Sequence, residues 1–154
     1  MEYTDILVAV RKIARAINLD SKRIQKQSGL SIPQILSLTF ISNCENYECA
    51  QIELRKYLQL NSSTVTGIVG RLIQKGYLAK IPSRGDKRST WLCLTASGLK
   101  QVEQAPTLFQ DRLASKLIKL SDDKVQEIDK GLNLLVELLG DEELSKNIEN
   151  PNQL

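Results

Sequence analysis

The sequence predicts a mainly helical α+β chain built around a helix-turn-helix and a β-hairpin. Three observations predict it. First, Val65, Ile68, Val69, Leu72 and Ile73 recur at the i, i+3, i+4, i+7, i+8 spacing of an amphipathic helix. Second, a short helical stretch at 49–57 precedes that helix across Leu58-Gln59-Leu60, with Asn61 or Ser62 as the cap. A short helix, a tight turn and a capped helix make a helix-turn-helix. Third, Tyr77–Ile81 and Thr90–Leu94 read as strands around the loop Pro82-Ser83-Arg84-Gly85-Asp86-Lys87-Arg88-Ser89, so a two-stranded hairpin follows directly.

The first helix is expected over residues 2–18 and on to about Gln27, where Ser28-Gly29 ends it. Ile6, Val10, Ile13 and Ile17 form its stripe, widened by Tyr3, Leu7 and Ala14. A face that broad needs a partner, and part of it is expected to meet another subunit. Ser31-Ile32-Pro33-Gln34 starts the second helix: Ser31 and Gln34 form a capping box, and Pro33 sits where its missing donor is harmless. Residues 44–48 read as a loop. The third helix points Ile52 and Leu54 inward, and its turn carries Gln59 where glycine is common. Gly76 closes the fourth helix, with Lys75 at its negative end.

Thr95 caps a fifth helix with Leu99, Val102, Leu108 or Phe109, Leu113, Leu117 and Leu120 inward, and Pro106 should kink or interrupt it. Ser121-Asp122-Asp123 caps the last helix, whose apolar residues run from Val125 to Leu139 before Gly140. The tail from Asp141 is expected to fray. No internal repeat or low-complexity segment is evident.

A length of 154 residues with 42% hydrophobic content allows one domain, or one domain with an oligomerisation arm. No apolar run reaches the roughly 18 residues of a membrane span. The N-terminus has no basic region ahead of its apolar residues, so a cytoplasmic protein is expected. The net charge is +3, but it is unevenly spread. Residues 51–100 hold nine basic and two acidic groups, a balance of +7, whereas residues 101–154 hold six basic and eleven acidic groups. A basic middle section suits a nucleic-acid surface; a solvated face without a partner is the bland alternative.

Cys44, Cys49 and Cys93 contain no CxxC, and there is no histidine. A zinc site, a histidine base and a Cys–His nucleophile are all disfavoured, so neither metal nor cofactor is expected. Cys93 reads as a small strand residue rather than a sensor. Trp91 reads as packing at the base of the hairpin.

Four local matches, in order, carry a resemblance. They are Ala50-Gln51-Ile52-Glu53-Leu54; Ser63-Thr64-Val65-Thr66 with Arg71-Leu72 and Lys75-Gly76; Arg84-Gly85-Asp86-Lys87-Arg88; and Leu94-Thr95-Ala96-Ser97-Gly98. Together they resemble the MarR family of winged helix-turn-helix transcriptional regulators across nearly the whole chain. Gly70 departs from the acidic residue often found there. The family's peroxide sensors carry their reactive cysteine in the first helix, where this chain has none.

The resemblance implies a winged helix-turn-helix at 31–95 and helical dimerisation segments at 1–30 and 96–154. It implies a recognition helix in the major groove, a wing at a flanking minor groove, and no catalysis. Candidate DNA contacts are Ser62, Ser63, Thr64, Thr66 and Arg71 on the helix and Arg84, Asp86, Lys87 and Arg88 on the wing. Free N–H groups at the helix start suit a phosphate. A guanidinium at Arg88 suits a narrow minor groove. Asp86 is expected to orient an arginine, while Arg84 and Lys87 attract the backbone. Each of these has a plainer reading, as a cap for Ser62 and as solvated side chains for the rest.

The implied function is a homodimeric repressor on a palindromic double-stranded operator, released by a small aromatic or apolar effector. Tyr3, Phe40, Tyr47 and Phe109 are candidates to line an effector crevice or simply to pack in the core. The competing reading is a winged-helix protein-interaction module without DNA binding.

Overall fold

The computed structural model describes residues 3–85 and 88–140. In chain order the elements are α1 (Tyr3–Ser28), α2 (Ile32–Ser42), a single 3₁₀ turn (Glu45–Tyr47), β1 (Glu48–Ala50), α3 (Gln51–Leu58) and α4 (Ser62–Gln74). They continue with β2 (Leu78–Ile81), β3 (Trp91–Leu94), α5 (Ala96–Glu103), α6 (Phe109–Leu117) and α7 (Asp122–Leu139). The chain divides into two compact units. One is Ile24–Pro106; the other joins the described residues up to Arg23 with those from Thr107.

In the Ile24–Pro106 unit, α2 packs against α3, α4, α5, β1 and β3. Its start is the predicted capping box: Gln34 N donates to Ser31 Oγ at 3.3 Å, and Ser31 N donates to Gln34 Oε1 at 2.9 Å. Leu38 and Ile41 of α2 are buried in this unit, as are Leu54, Val65, Ile68, Leu72, Leu78 and Leu92. Each such side chain contributes roughly 1.5–3 kcal/mol by leaving water.

The predicted two-stranded hairpin is a three-stranded antiparallel sheet in the order β1-β3-β2. Cys49 pairs with Leu92 on one side of β3, and Lys80 pairs with Leu92 on the other. The expected loop at 44–48 is therefore partly a 3₁₀ turn and partly a strand, and α3 begins two residues later than expected. A three-residue strand is too short to show alternation, and it exists only because β3 offers an edge. Asn46 and Tyr47 both take positive φ to make the turn into it. Leu54 is buried as predicted, but Ile52 is 46% exposed.

Thr95 caps α5 as expected, accepting from Gly98 N at 3.0 Å. Its hydroxyl donates to Gly76 O at 2.6 Å, and its N–H donates to Tyr77 O at 3.1 Å. A Cβ on Gly98 would run into the Tyr77 carbonyl and lie 2.7 Å from Leu94 Cδ1. The Leu94–Gly98 motif thus clips α5 to the end of α4, and only glycine fits its last position.

Pro106 interrupts the fifth helix as expected, at the boundary between the two units. The fifth helix stops at Glu103 and a new helix starts at Phe109. Asp20, on α1, fills the second unit's polar centre. It accepts from Arg23 Nη2 and Arg112 Nη2, both at 2.8 Å, and from Phe109 N at 2.8 Å. Burial alone would raise its pKa; the hydrogen bonds from Arg112, Arg23 and Phe109 outweigh that and hold it below the ordinary carboxylate range. Leu113 and Leu120 are 43% and 38% exposed rather than inward, and Gly140 ends α7 at φ 73°. The expectation of a fraying tail falls on residues outside those described. Among the described residues, no helix is long and apolar enough to cross a membrane.

Candidate nucleic-acid interface

α4 buries Val65, Ile68, Val69 and Leu72 and leaves Ser62, Ser63, Thr66, Gly70 and Arg71 exposed. Its cap is Asn61, whose side chain accepts from Thr64 N at 2.8 Å and from Ser63 Oγ at 3.2 Å. Ser62 is therefore the first residue inside the helix rather than its cap, which directs its role toward the surface. Thr64 is half-buried. Thr66 Oγ1 donates to Ser62 O at 2.9 Å. The Arg71 guanidinium folds back toward Gly67, 3.9 Å from where a Cβ there would sit. The outward face of α4 is thus low, polar and positive at its far end.

The turn before α4 places Gln59 at φ 53°, ψ 41°, the left-handed conformation that glycine adopts without strain. The helix-turn-helix geometry is kept at some local cost by a residue with a Cβ.

Ser62 and Arg88 come together. With Gln51, Ile52, Arg55, Val65, Ser89 and Thr90 they line a recess of about 170 Å³ where α3, the start of α4 and the wing meet. Among the described residues, two arginines and no carboxylate face this recess. Arg84 goes elsewhere: its Nη2 lies 2.7 Å from Glu48 Oε2 on the opposite edge of the sheet. It borders a separate hollow with Cys44, Glu53 and Trp91. Asp86 and Lys87 lie outside the described residues.

Sequence reasoning did not single out Gln51 and Arg55. They sit four apart on α3, hence on one helix face. That spacing, at the start of a helix-turn-helix, was the available signal. Gln51 also ties the elements together, since its N–H donates to Thr90 O at 2.8 Å.

The cysteines offer little chemistry. Cys49 is 1% exposed; burial first, then the Cys44 thiol and the Glu53 carboxylate, pushes its thiol up to about 12. Cys44 donates to Phe40 O at 3.4 Å, and burial also raises its pKa. Nucleophilic and redox reactivity belongs to thiolates, and both shifts oppose their formation.

The helix-turn-helix and wing are where a family model matches: that of the MarR family covers residues 28–89. Over that segment the chain is of the MarR family. An uncharacterised HTH-type transcriptional regulator of Mycobacterium leprae is 24% identical over 136 residues, 88% of this chain and 91% of that protein. The multiple antibiotic resistance protein MarR of Escherichia coli is 32% identical over 79 residues, 51% of this chain and 55% of that one. A MarR family transcriptional regulator from Streptomyces coelicolor, solved in complex with DNA, superposes with a TM-score of 0.69 at 19% identity, covering 91% of this chain and 90% of that chain. Proteins of this family are DNA-binding transcriptional regulators, and the family is non-enzymatic.

Proposed function

We propose that this MarR-family chain is a cytoplasmic homodimeric repressor that occupies an imperfect palindrome of about two helical turns. The observation that carries the reading is the convergence of Ser62, Arg55 and Arg88 on one recess beside the exposed face of α4, lined by no carboxylate among the described residues. Ser62, Ser63, Thr64, Thr66 and Arg71 would meet the major groove and its phosphates, while Arg88 probes the minor groove beyond. Lys87 adds backbone attraction, and Asp86 orients a neighbouring arginine. Arg84 contributes less, because Glu48 already neutralises much of its charge.

A second copy is supported by apolar surface that no described residue covers. Ile6, Leu7, Val10 and Ile13 of α1 are all more than 40% exposed, as are Ile128, Leu132, Leu134 and Leu138 of α7. Stripes of this length on two helices exceed what a monomer ordinarily leaves in water. Two recognition helices roughly 34 Å apart would then meet successive major grooves. The segments 1–30 and 96–154 would form the dimer base, and 31–95 the reading head.

Effector release is supported by a hollow of about 360 Å³ between α1 and α6. Leu19, Phe109 and Leu113 give it an apolar side, and Arg23, Arg112 and Lys116 a basic one. Of the four aromatic residues considered from sequence, Phe109 lines this hollow, Phe40 stacks on Tyr57 at 4.6 Å, and Tyr3 and Tyr47 are exposed. A small ligand favouring one dimer geometry over another would shift the population away from the DNA-binding form.

The test is a gel-shift titration of Arg88→Ala on the operator, with sedimentation of the free protein. Operator affinity should fall at least tenfold while the dimer persists. Unchanged affinity would remove the wing from the reading, and a monomeric wild type would remove the palindrome.

A further inference from the structure

We propose that Gln51 and Thr66 act as one base-reading pair, with Gln51 selecting adenine in the major groove; this rests on the assignment of the α4 face to DNA. The Thr66 hydroxyl donates its hydrogen to Ser62 O at 2.9 Å. Only its lone pairs then face outward, so the group opposite must be a donor. That group is Gln51 Nε2, at 3.2 Å. Thr66 therefore fixes which way round the Gln51 amide points.

A glutamine amide carries two N–H donors and an oxygen acceptor. One N–H is taken by Thr66. One N–H and Oε1 remain, and adenine presents N7 as acceptor and N6–H₂ as donor in the major groove, the complementary set. The backbone of Gln51 is held as well, through its N–H to Thr90 O at 2.8 Å. A side chain fixed at both ends loses little freedom on binding, so its hydrogen bonds translate more fully into discrimination.

The surroundings divide the work. Arg55 lies one helical turn beyond Gln51, and with Arg88 it lines the recess that Gln51 borders. Those charges would hold phosphates, which carry no sequence information, while the neutral amide reads a base edge. The bond itself is open to solvent, between exposed Thr66 and half-buried Gln51, so a base edge can reach it.

The experiment selects bound duplexes from a random pool with the full chain, as wild type, Gln51→Glu, Gln51→Ala and Thr66→Val. Single-base variants of the consensus are then titrated at one salt concentration. The wild type should prefer adenine at one position of each half-site, with a penalty of about tenfold for other bases. Gln51→Glu should move that position to cytosine, whose N4–H₂ suits a carboxylate. Gln51→Ala should lose the preference there, and Thr66→Val should weaken it several-fold at the same position, both with the rest of the consensus intact.

An unchanged consensus in Gln51→Glu and Gln51→Ala would overturn the proposal and leave DNA reading by α4 standing. So would an even loss across all positions, the signature of a structural tie, or effects of Gln51 and Thr66 at different positions. A wild type that enriches no sequence would overturn the DNA-reading assignment together with the pair.

Discussion

Asp20→Asn keeps the side chain's size and removes its charge, at the one carboxylate that is buried among the described residues. In the wild type, Asp20 accepts from Arg23 and Arg112 and from the Phe109 N–H that opens α6. An asparagine oxygen can keep the Phe109 bond. The two charge-assisted bonds are lost, each worth about 1.5–3 kcal/mol when fully buried. The arginine side chains are 36% and 44% exposed, so water replaces part of what they lose, and the lower end applies or less.

The net expectation at pH 7 is a destabilisation of about 2 kcal/mol, roughly 4–8 °C in melting temperature for a chain of this size. The pH dependence has a fixed sign. The pKa of Asp20 is lowered on folding, so its contribution is complete above the ordinary value of 3.8 and is lost as pH falls through the folded value. Urea unfolding of both proteins between pH 7 and pH 2, with amide exchange at Phe109, reads this directly. The gap should be widest at neutral pH and close in acid. Equal stabilities at pH 7, or a gap undiminished at pH 2, would refute the reasoning.

Three further outcomes are expected. Gly98→Ala forces a methyl against the Tyr77 carbonyl and Leu94, and should cost about 3 kcal/mol in urea unfolding; a midpoint matching the wild type would show that the wing yields freely. Glu48→Gln releases Arg84, so DNA binding should tighten a few-fold at low salt. Its salt slope should steepen by about 0.9, the value for one added phosphate contact, and an unchanged slope would mean Arg84 reaches no phosphate. The thiol of Cys49 titrates at about 12 in the folded chain against 9.0 unfolded, so its contribution is full below pH 9 and declines as pH rises toward 12. The stability difference between wild type and Cys49→Ala should shrink over that range, and parallel curves would contradict the shift.

The recognition helix was legible because its stripe is complete: five apolar residues at helical spacing leave one possible buried face, and Val65, Ile68, Val69 and Leu72 occupy it. The capping box at Ser31–Gln34 and the Thr95 cap were legible for a similar reason, since capping is local chemistry within one turn. β1 was not legible, because Glu48–Ala50 is a strand only by pairing with β3, more than forty residues later. Ile52 was misjudged because an eight-residue helix has too few turns for its stripe to fix a rotation.

The site divides the same way. Sequence alone picked out Ser62 and Arg88 by residue type and position, but not their convergence, which requires the sheet to fold the wing back against α3. It gave Arg84 a backbone-attracting role, and the neighbouring edge strand places Glu48 within 2.7 Å of it. It passed over Gln51, whose partner Thr66 is fifteen residues away. By itself, then, the sequence determined the helices, their caps, the exposed polar face of α4 and the family resemblance, all set by periodicity and chemistry within a few residues. Only the tertiary structure decided which polar groups are spent on each other and which stay exposed, because that depends on contacts between elements distant in the chain.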